Sequence, residues 1–119
     1  MYGLPNDFKT DFLIGRNLEQ ICINETQVYF HFNDKLFITV EGAFVYQSAE
    51  PDANEVFVKV PGFNVKVMEL LGSSVIQASC TTEGTLNLVF PGGQTLKILD
   101  ISDSYESYMI DHDGVSIIV

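Results

Sequence analysis

The sequence has few of the residues on which several common functions depend. It contains no tryptophan, two cysteines and two histidines, and it has six lysines and arginines against 16 aspartates and glutamates. Because nucleic acids are bound mainly through basic side chains, we expect no nucleic-acid partner. No apolar run approaches the roughly 20 residues that span a bilayer. The first residues lack the basic and apolar regions of a signal peptide, so we expect a cytoplasmic protein without membrane contact.

The common motifs of catalysis are also missing. The sequence has no phosphate loop, dinucleotide fingerprint or nucleophile elbow. A serine or cysteine nucleophile needs a positioned base. His31 alternates with the apolar residues of a predicted strand, which indicates a solvent-facing or edge position. We therefore expect no catalytic residue, and we expect that the protein is not an enzyme.

Metal-ligating side chains gather near the end of the chain, at Asp100, Asp103, Asp111, His112 and Asp113. Their oxygen and nitrogen atoms suit several cations. The spacing matches no calcium loop, however, and alternating polar residues at a turn are typical of a solvated hairpin tip. We expect no metal site and no cofactor.

Composition predicts a folded acidic domain. The 119 residues are 46% hydrophobic and include nine phenylalanines and five tyrosines, enough for one domain, residues 1–119, with a substantial core. The formal net charge of −10 favours encounter with a basic partner. Solubility is an alternative explanation of the same charge.

Two segments of the chain match without a gap. Residues 7–20 align on residues 64–77, with identities at Lys9/Lys66, Leu13/Leu70, Gly15/Gly72 and Gln20/Gln77. Asp7 and Asn64 are residue types that cap helices, and the two glycines suit the end of a helix. Each segment therefore predicts a helix of about two turns. Such a helix is held by packing on a sheet, and the side chains that we expect to pack are Phe8, Phe12, Leu13, Val65, Met68 and Leu71. A strand at residues 65–67 is an alternative, because Val65 and Val67 also alternate with period two.

Alternating apolar residues follow both matched segments and predict half-buried strands. They are Val28, Phe30, Phe32, Leu36, Ile38 and Val40 after the first, and Leu86, Leu88, Phe90, Leu96 and Ile98 after the second. We therefore predict an α+β fold, predominantly antiparallel β-sheet, built from two helix-plus-three-strand pseudo-repeats at residues 7–44 and 64–103. A closing C-terminal hairpin is predicted at residues 105–119, because Asp113-Gly114 is a strong hairpin-turn signal.

The two cysteines lie on the equivalent first strand of each unit, at neighbouring register positions. Their side chains should then face opposite ways. We favour two buried free thiols over a disulfide between Cys22 and Cys80.

The C-terminal part of the chain combines acidic and aromatic residues. No lysine or arginine follows Lys97. The two tyrosines of Tyr105-Glu106-Ser107-Tyr108 are three residues apart, so on a strand one faces the core and the other is available as an interface anchor. The predicted protein-binding residues are Asp100, Asp103, Tyr105, Glu106 and Tyr108.

Four short stretches, at residues 15–21, 28–32, 38–41 and 103–108, together resemble a family of small bacterial proteins of unknown function. The most specific of them is Tyr-Glu-Ser-Tyr at residues 105–108. The resemblance covers most of the chain. It implies a bacterial origin and supplies no catalytic residue.

These observations predict a non-enzymatic protein-binding module of the immunity or inhibitor type. In this hypothesis the acidic, tyrosine-containing surface occludes the cleft of a basic partner, such as a toxin domain. The alternative is a small ligand-binding domain or enzyme that uses the groove between the two units, where His112 and nearby acids act. A third hypothesis is self-association through an edge strand, so a monomer and a homodimer both remain open.

Overall fold

The computed structural model describes residues 3–5, 8–50, 54–101 and 106–119. Within these residues the regular structure consists of ten strands and two 3₁₀ helices. The strands are β1 Leu18–Ile23, β2 Val28–Phe32, β3 Leu36–Val40, β4 Ala43–Gln47, β5 Val56–Lys59, β6 Gln77–Cys80, β7 Leu86–Val89, β8 Thr95–Leu99, β9 Tyr108–His112 and β10 Val115–Ile118. The 3₁₀ helices are Asp11–Leu13 and Val65–Leu70.

The predicted α+β fold is wrong, because the architecture is two antiparallel five-stranded sheets. The first sheet has the order β1-β2-β3-β9-β10 and the second has the order β5-β4-β8-β7-β6. The predominance of antiparallel strands is confirmed. The helix-plus-strand repeats are not present as predicted, since the part of the chain that the structure describes contains no α-helix.

The prediction of two helices of about two turns was wrong for a local reason. Only three and six residues are helical, and both segments are 3₁₀. Asn64 does cap the second one, accepting from the Lys66 N–H at 2.9 Å, whereas Asp7 lies outside the described residues. In a 3₁₀ helix the side chains at i and i+3 share a face. Val67 and Leu70 are therefore buried. The residues expected to pack there, Val65, Met68 and Leu71, are exposed.

Each sheet contains strands from both the first part of the chain (β1 to β5) and the second part (β6 to β10). The meander β1-β2-β3 is extended by the hairpin β9-β10, because β3 pairs with β9. The meander β6-β7-β8 is extended in the same way by the pair β4-β5, because β4 pairs with β8. Neither sheet is therefore complete without a hairpin from the other part of the chain.

The two segments that match in sequence lie against each other. Gly15 donates its N–H to the Val75 carbonyl at 2.7 Å, and Gly72 donates to the Leu18 carbonyl at 2.8 Å. Both glycines have φ near +85°, at 85° and 84°, a conformation that favours glycine. A β-bridge between Asn17 and Ser74 lies between these contacts. The segments thus hold the starts of the two meanders together.

A single hydrophobic core includes side chains from both sheets. Phe30 of β2 meets Phe44 of β4 edge to face, with ring centroids 5.4 Å apart and planes at 87°. Both rings are fully buried. The apolar alternation that predicted strands at β2, β3, β7 and β8 therefore marks their inward faces.

The C-terminal hairpin is present where Asp113 and Gly114 predicted it. The two residues have φ of 52° and 79°, as a type I′ turn requires, and β9 pairs with β10 across them. Strand β9 begins at Tyr108, so Glu106 and Ser107 precede it as irregular chain.

Cys22 and Cys80 are free cysteines, as expected. The expectation that they are buried was wrong, because Cys22 is only half-buried and Cys80 is exposed. Both lie on the outermost strand of a sheet, where less of the chain covers them.

Candidate functional site

Tyr108 is a core residue and not an interface anchor. It has no exposed surface, and its hydroxyl donates to the Gly84 carbonyl at 2.6 Å. Burial raises the pKa of the Tyr108 hydroxyl well above its usual value. One of Tyr105 and Tyr108 was predicted to face the core and the other to serve as an anchor, and Tyr108 is the core residue. Tyr105 lies outside the described residues, as does Asp103.

Asp100 makes internal contacts that hold separate parts of the chain. One carboxylate oxygen accepts from the Gly3 N–H at 3.0 Å, and the other accepts from the Ser107 hydroxyl at 2.9 Å. Gly84 lies close by, where a Cβ atom would come within 2.7 Å of the Asp100 carboxylate. The predicted binding role of Asp100 therefore competes with its structural role.

Glu106 lines a small cavity on the first sheet. The cavity measures about 140 Å³ and is lined by Thr39, Glu41, Glu106, Tyr108, Met109 and Ile118. We call it the Glu41–Glu106 pocket. Thr39 is paired with Met109 across β3 and β9, and Met109 is paired with Ile118 across β9 and β10. Because paired residues of neighbouring strands share a face, these three side chains form a row along which the pocket lies.

The two glutamates approach this row from chain segments outside the strands. Glu41 follows the last residue of β3, and Glu106 precedes the first residue of β9. Gln27 donates its side-chain amide to one oxygen of Glu41 at 2.6 Å. Gln27 in turn accepts from the Tyr29 hydroxyl. This polar chain holds Glu41 at the pocket and leaves its second carboxylate oxygen for a ligand.

The same outward face of the first sheet has an aromatic cluster beside the pocket. The His31 ring meets Phe37 edge to face at 4.9 Å, and Tyr29 lies 6.1 Å from His31. His31 is half-buried on this outward face, and because β2 lies between β1 and β3 it is not at a sheet edge, which was one of the two positions predicted for it. Ile118, which lines the pocket, is 44% exposed. The surface around the pocket therefore combines acidic, aromatic and aliphatic side chains, of which the aromatic residues and Met109 are types that protein interfaces favour.

His112 joins the beginning of the chain to the C-terminal hairpin. Its ring stacks on Phe12 at 4.6 Å, and its Nε2 lies 2.9 Å from Nη2 of Arg16 and 3.2 Å from the Asp113 carboxylate. Because a guanidinium only donates, the Arg16 contact requires Nε2 to accept. Arg16 also donates to the carbonyls of Phe12 and Asn33. These contacts give His112 a structural role.

A larger polar cavity of about 530 Å³ opens on the second sheet. It is lined by Tyr46, Ser48, Glu50, Asn54, Val56, Lys66 and Glu69. The Tyr46 hydroxyl donates to a Glu69 carboxylate oxygen at 2.8 Å. Burial, together with this hydrogen bond and the charge of Glu69, raises the pKa of Tyr46 from 10.0 to about 12.

The raised pKa of Tyr46 predicts an alkaline loss of stability. In the unfolded chain the hydroxyl ionises near pH 10, whereas in the folded protein it stays protonated until about pH 12. The stabilisation by neutral Tyr46 is complete below pH 10 and is lost as the pH rises through 12. We expect Tyr46→Phe to show a smaller decline of urea midpoints over this range than the parent protein. The control Tyr29→Phe should keep the full decline, and equal declines in all three proteins would contradict the prediction.

Of the residues that line the Glu41–Glu106 pocket, Glu106 was predicted from the sequence as a binding residue. Four others were not predicted, namely Thr39, Glu41, Met109 and Ile118. Period-two alternation does place Thr39 and Glu41 on the same side of a strand. The pairing of β3 with β9, which joins residues about 70 positions apart, had no local signal in the sequence.

Metal-ligand clusters and membrane-spanning helices are both missing from the described ranges of the chain. Among the residues that the structure describes, no group of three or more histidine, cysteine, aspartate or glutamate side chains is placed to hold a metal ion. The helical segments of the same residues are too short to cross a membrane. No family model, curated protein or solved structure matches this chain.

Proposed function

We propose that the protein is a non-enzymatic protein-binding module of the immunity or inhibitor type, and that it acts on a basic protein partner in the cytoplasm. The first sheet presents the binding surface, with the Glu41–Glu106 pocket at its centre. The resemblance to small bacterial proteins adds an expected bacterial source. The net charge of −10 favours a basic protein over a nucleic acid.

The observation that carries the proposal is the composition of this surface. Two carboxylates border a cavity whose walls include the aliphatic side chains Met109 and Ile118. Such a combination gives charge complementarity and apolar burial at one place, as binding surfaces need. Of the predicted binding residues, the proposal retains Glu106, and it takes exposed Ile118 as the apolar contact in place of buried Tyr108.

Charge reversal at the pocket tests this proposal. We expect affinity capture from a lysate of the source cells, followed by mass spectrometry, to yield one dominant basic partner whose recovery falls at high salt. The double variant Glu41→Lys and Glu106→Lys should bind the purified partner at least about 100-fold more weakly, because two attractive contacts become repulsive. Isothermal titration calorimetry measures the dissociation constant.

The matched control is Glu19→Lys with Glu83→Lys, which makes the same change in net charge at two exposed positions that do not line the pocket. The control should lose much less affinity than the pocket variant. Asp100 is left unchanged because of its internal hydrogen bonds. Equal losses in both variants, or the absence of a basic partner, would contradict the proposal.

We propose a small-ligand site as the second candidate function, favoured by the polar cavity around Tyr46 and Glu69. This cavity replaces the groove at His112, whose side chain is held by Arg16 and Phe12. A thermal-shift screen should then yield a ligand that stabilises the parent protein and stabilises Glu69→Gln much less.

A further inference from the structure

Thr39 presents an unusual polar group in the Glu41–Glu106 pocket. The residue is 6% exposed, and its hydroxyl makes no hydrogen bond within the described residues. Those residues also contain no completely enclosed side-chain nitrogen or oxygen without a partner. The Thr39 hydroxyl oxygen must therefore retain some accessible surface. Since Thr39 lines the pocket, that surface opens into it.

The backbone geometry supports this orientation. Ile38 and Val40 are fully buried in the core, so the intervening Thr39 faces the opposite side of β3. Its cross-strand neighbour Met109 lies on that same side. The Thr39 hydroxyl makes no hydrogen bond to the described part of the chain and opens into the pocket, so a ligand that supplies a donor there gains a favourable contact.

The pocket thus offers three acceptor groups. They are the Thr39 hydroxyl, the Glu41 carboxylate oxygen that Gln27 does not use, and the Glu106 carboxylate. Met109 and Ile118 add aliphatic walls beside them. Two of the three acceptors are negatively charged, so a cationic donor is strongly preferred over a neutral one.

We propose that the Glu41–Glu106 pocket binds the side chain of a lysine on the protein partner. A lysine ammonium has three donors on one compact group, which equals the number of acceptors in the pocket. Its four-carbon stem packs against apolar surface while the charged head reaches polar groups. Arginine fits less well, because its guanidinium is a planar fork with five donors. This inference rests on the proposed function and specifies the chemistry of the contact.

The test is a methyl-detected NMR titration of the full chain with a capped peptide in which a single lysine is flanked by glycines. We expect saturable shifts of the methyl signals of Thr39, Met109 and Ile118. The same peptide with norleucine in place of lysine should cause none, and the arginine peptide should bind at least about fivefold more weakly. Butylammonium should bind more weakly than the lysine peptide, which distinguishes a protein lysine from a free amine.

Substitutions in the pocket should weaken binding of the lysine peptide in a defined order. Glu41→Gln with Glu106→Gln keeps the size of both side chains and should raise the dissociation constant at least about tenfold. Thr39→Val keeps the shape and should raise it about threefold or more. The control Glu19→Gln with Glu83→Gln, which makes the same change in net charge, should bind as the parent does.

Several results would overturn the inference. They are the absence of shifts at the three methyl groups, equal binding of the lysine and arginine peptides, equal or tighter binding of butylammonium, and unchanged affinity of the pocket variants. If a basic partner is captured and is sensitive to charge reversal while the lysine peptide fails, only the lysine assignment falls. If no basic partner exists, the proposed function falls as well.

Discussion

Phe44→Ala is expected to lower the free energy of unfolding by about 3–5 kcal/mol, as truncation of a buried aromatic residue in a close-packed core does. Phe44 lies on β4, in the second sheet, and its ring contacts Phe30 of the first sheet with centroids 5.4 Å apart. The substitution removes this contact and leaves a cavity between the sheets. The loss is a large part of the total stability of a typical domain, which is about 5–15 kcal/mol.

Urea denaturation followed by circular dichroism measures this loss. The control is Phe57→Ala on the neighbouring strand β5, where the side chain is 58% exposed. It should change stability by less than about 1 kcal/mol, as most surface substitutions do. Similar losses from both variants would show that the Phe30–Phe44 contact does not hold the two sheets together.

Tyr108→Ala should also lower the free energy of unfolding by about 3–5 kcal/mol, because Tyr108 is a large side chain with no exposed surface. The ring lies on β9 at the junction with β3, where the C-terminal hairpin joins the first sheet. Loss of this ring should therefore weaken the attachment of the hairpin. Hydrogen exchange should show faster exchange in β9 and β10 than in the second sheet.

A second substitution at the same position separates the hydroxyl from the ring. Tyr108→Phe keeps the packing but removes the donor to the Gly84 carbonyl, which lies 2.6 Å away. Leaving a buried acceptor without its partner costs about 1–3 kcal/mol. The control Tyr29→Phe removes a half-buried hydroxyl and should cost less. Tyr108→Phe without any loss of stability would contradict the structural role that we assign to this hydroxyl.

The contacts of Tyr108 and Asp100 explain why the acidic, tyrosine-containing stretch was an incomplete guide to the binding surface. Tyr108 stabilises the hairpin, and Asp100 links the residues near both ends of the chain. Glu106, between them in sequence, is the residue that reaches a cavity. Neighbouring residues of one acidic segment therefore have different roles, according to what each side chain contacts in the fold.

The sequence by itself determined the local elements of this protein. Alternation of apolar residues gave the strands around Phe30, Ile38, Leu88 and Ile98, because a strand that buries one face needs period two. Asp113-Gly114 gave the final turn, because both positions need positive φ. The helix predictions failed, since capping residues and glycines mark the ends of a helical segment but do not distinguish a 3₁₀ turn from an α-helix.

Only the tertiary structure decided which strands pair and where the candidate site lies. The hairpins β4-β5 and β9-β10 each join the sheet begun by the other part of the chain. Such pairing depends on long-range burial of both sheets and has no local pattern. It places Thr39 and Glu41 beside Glu106, Met109 and Ile118. The individual side chains are visible in the sequence, but the pocket exists only because β3 and β9 are neighbours, and that adjacency is a property of the folded core.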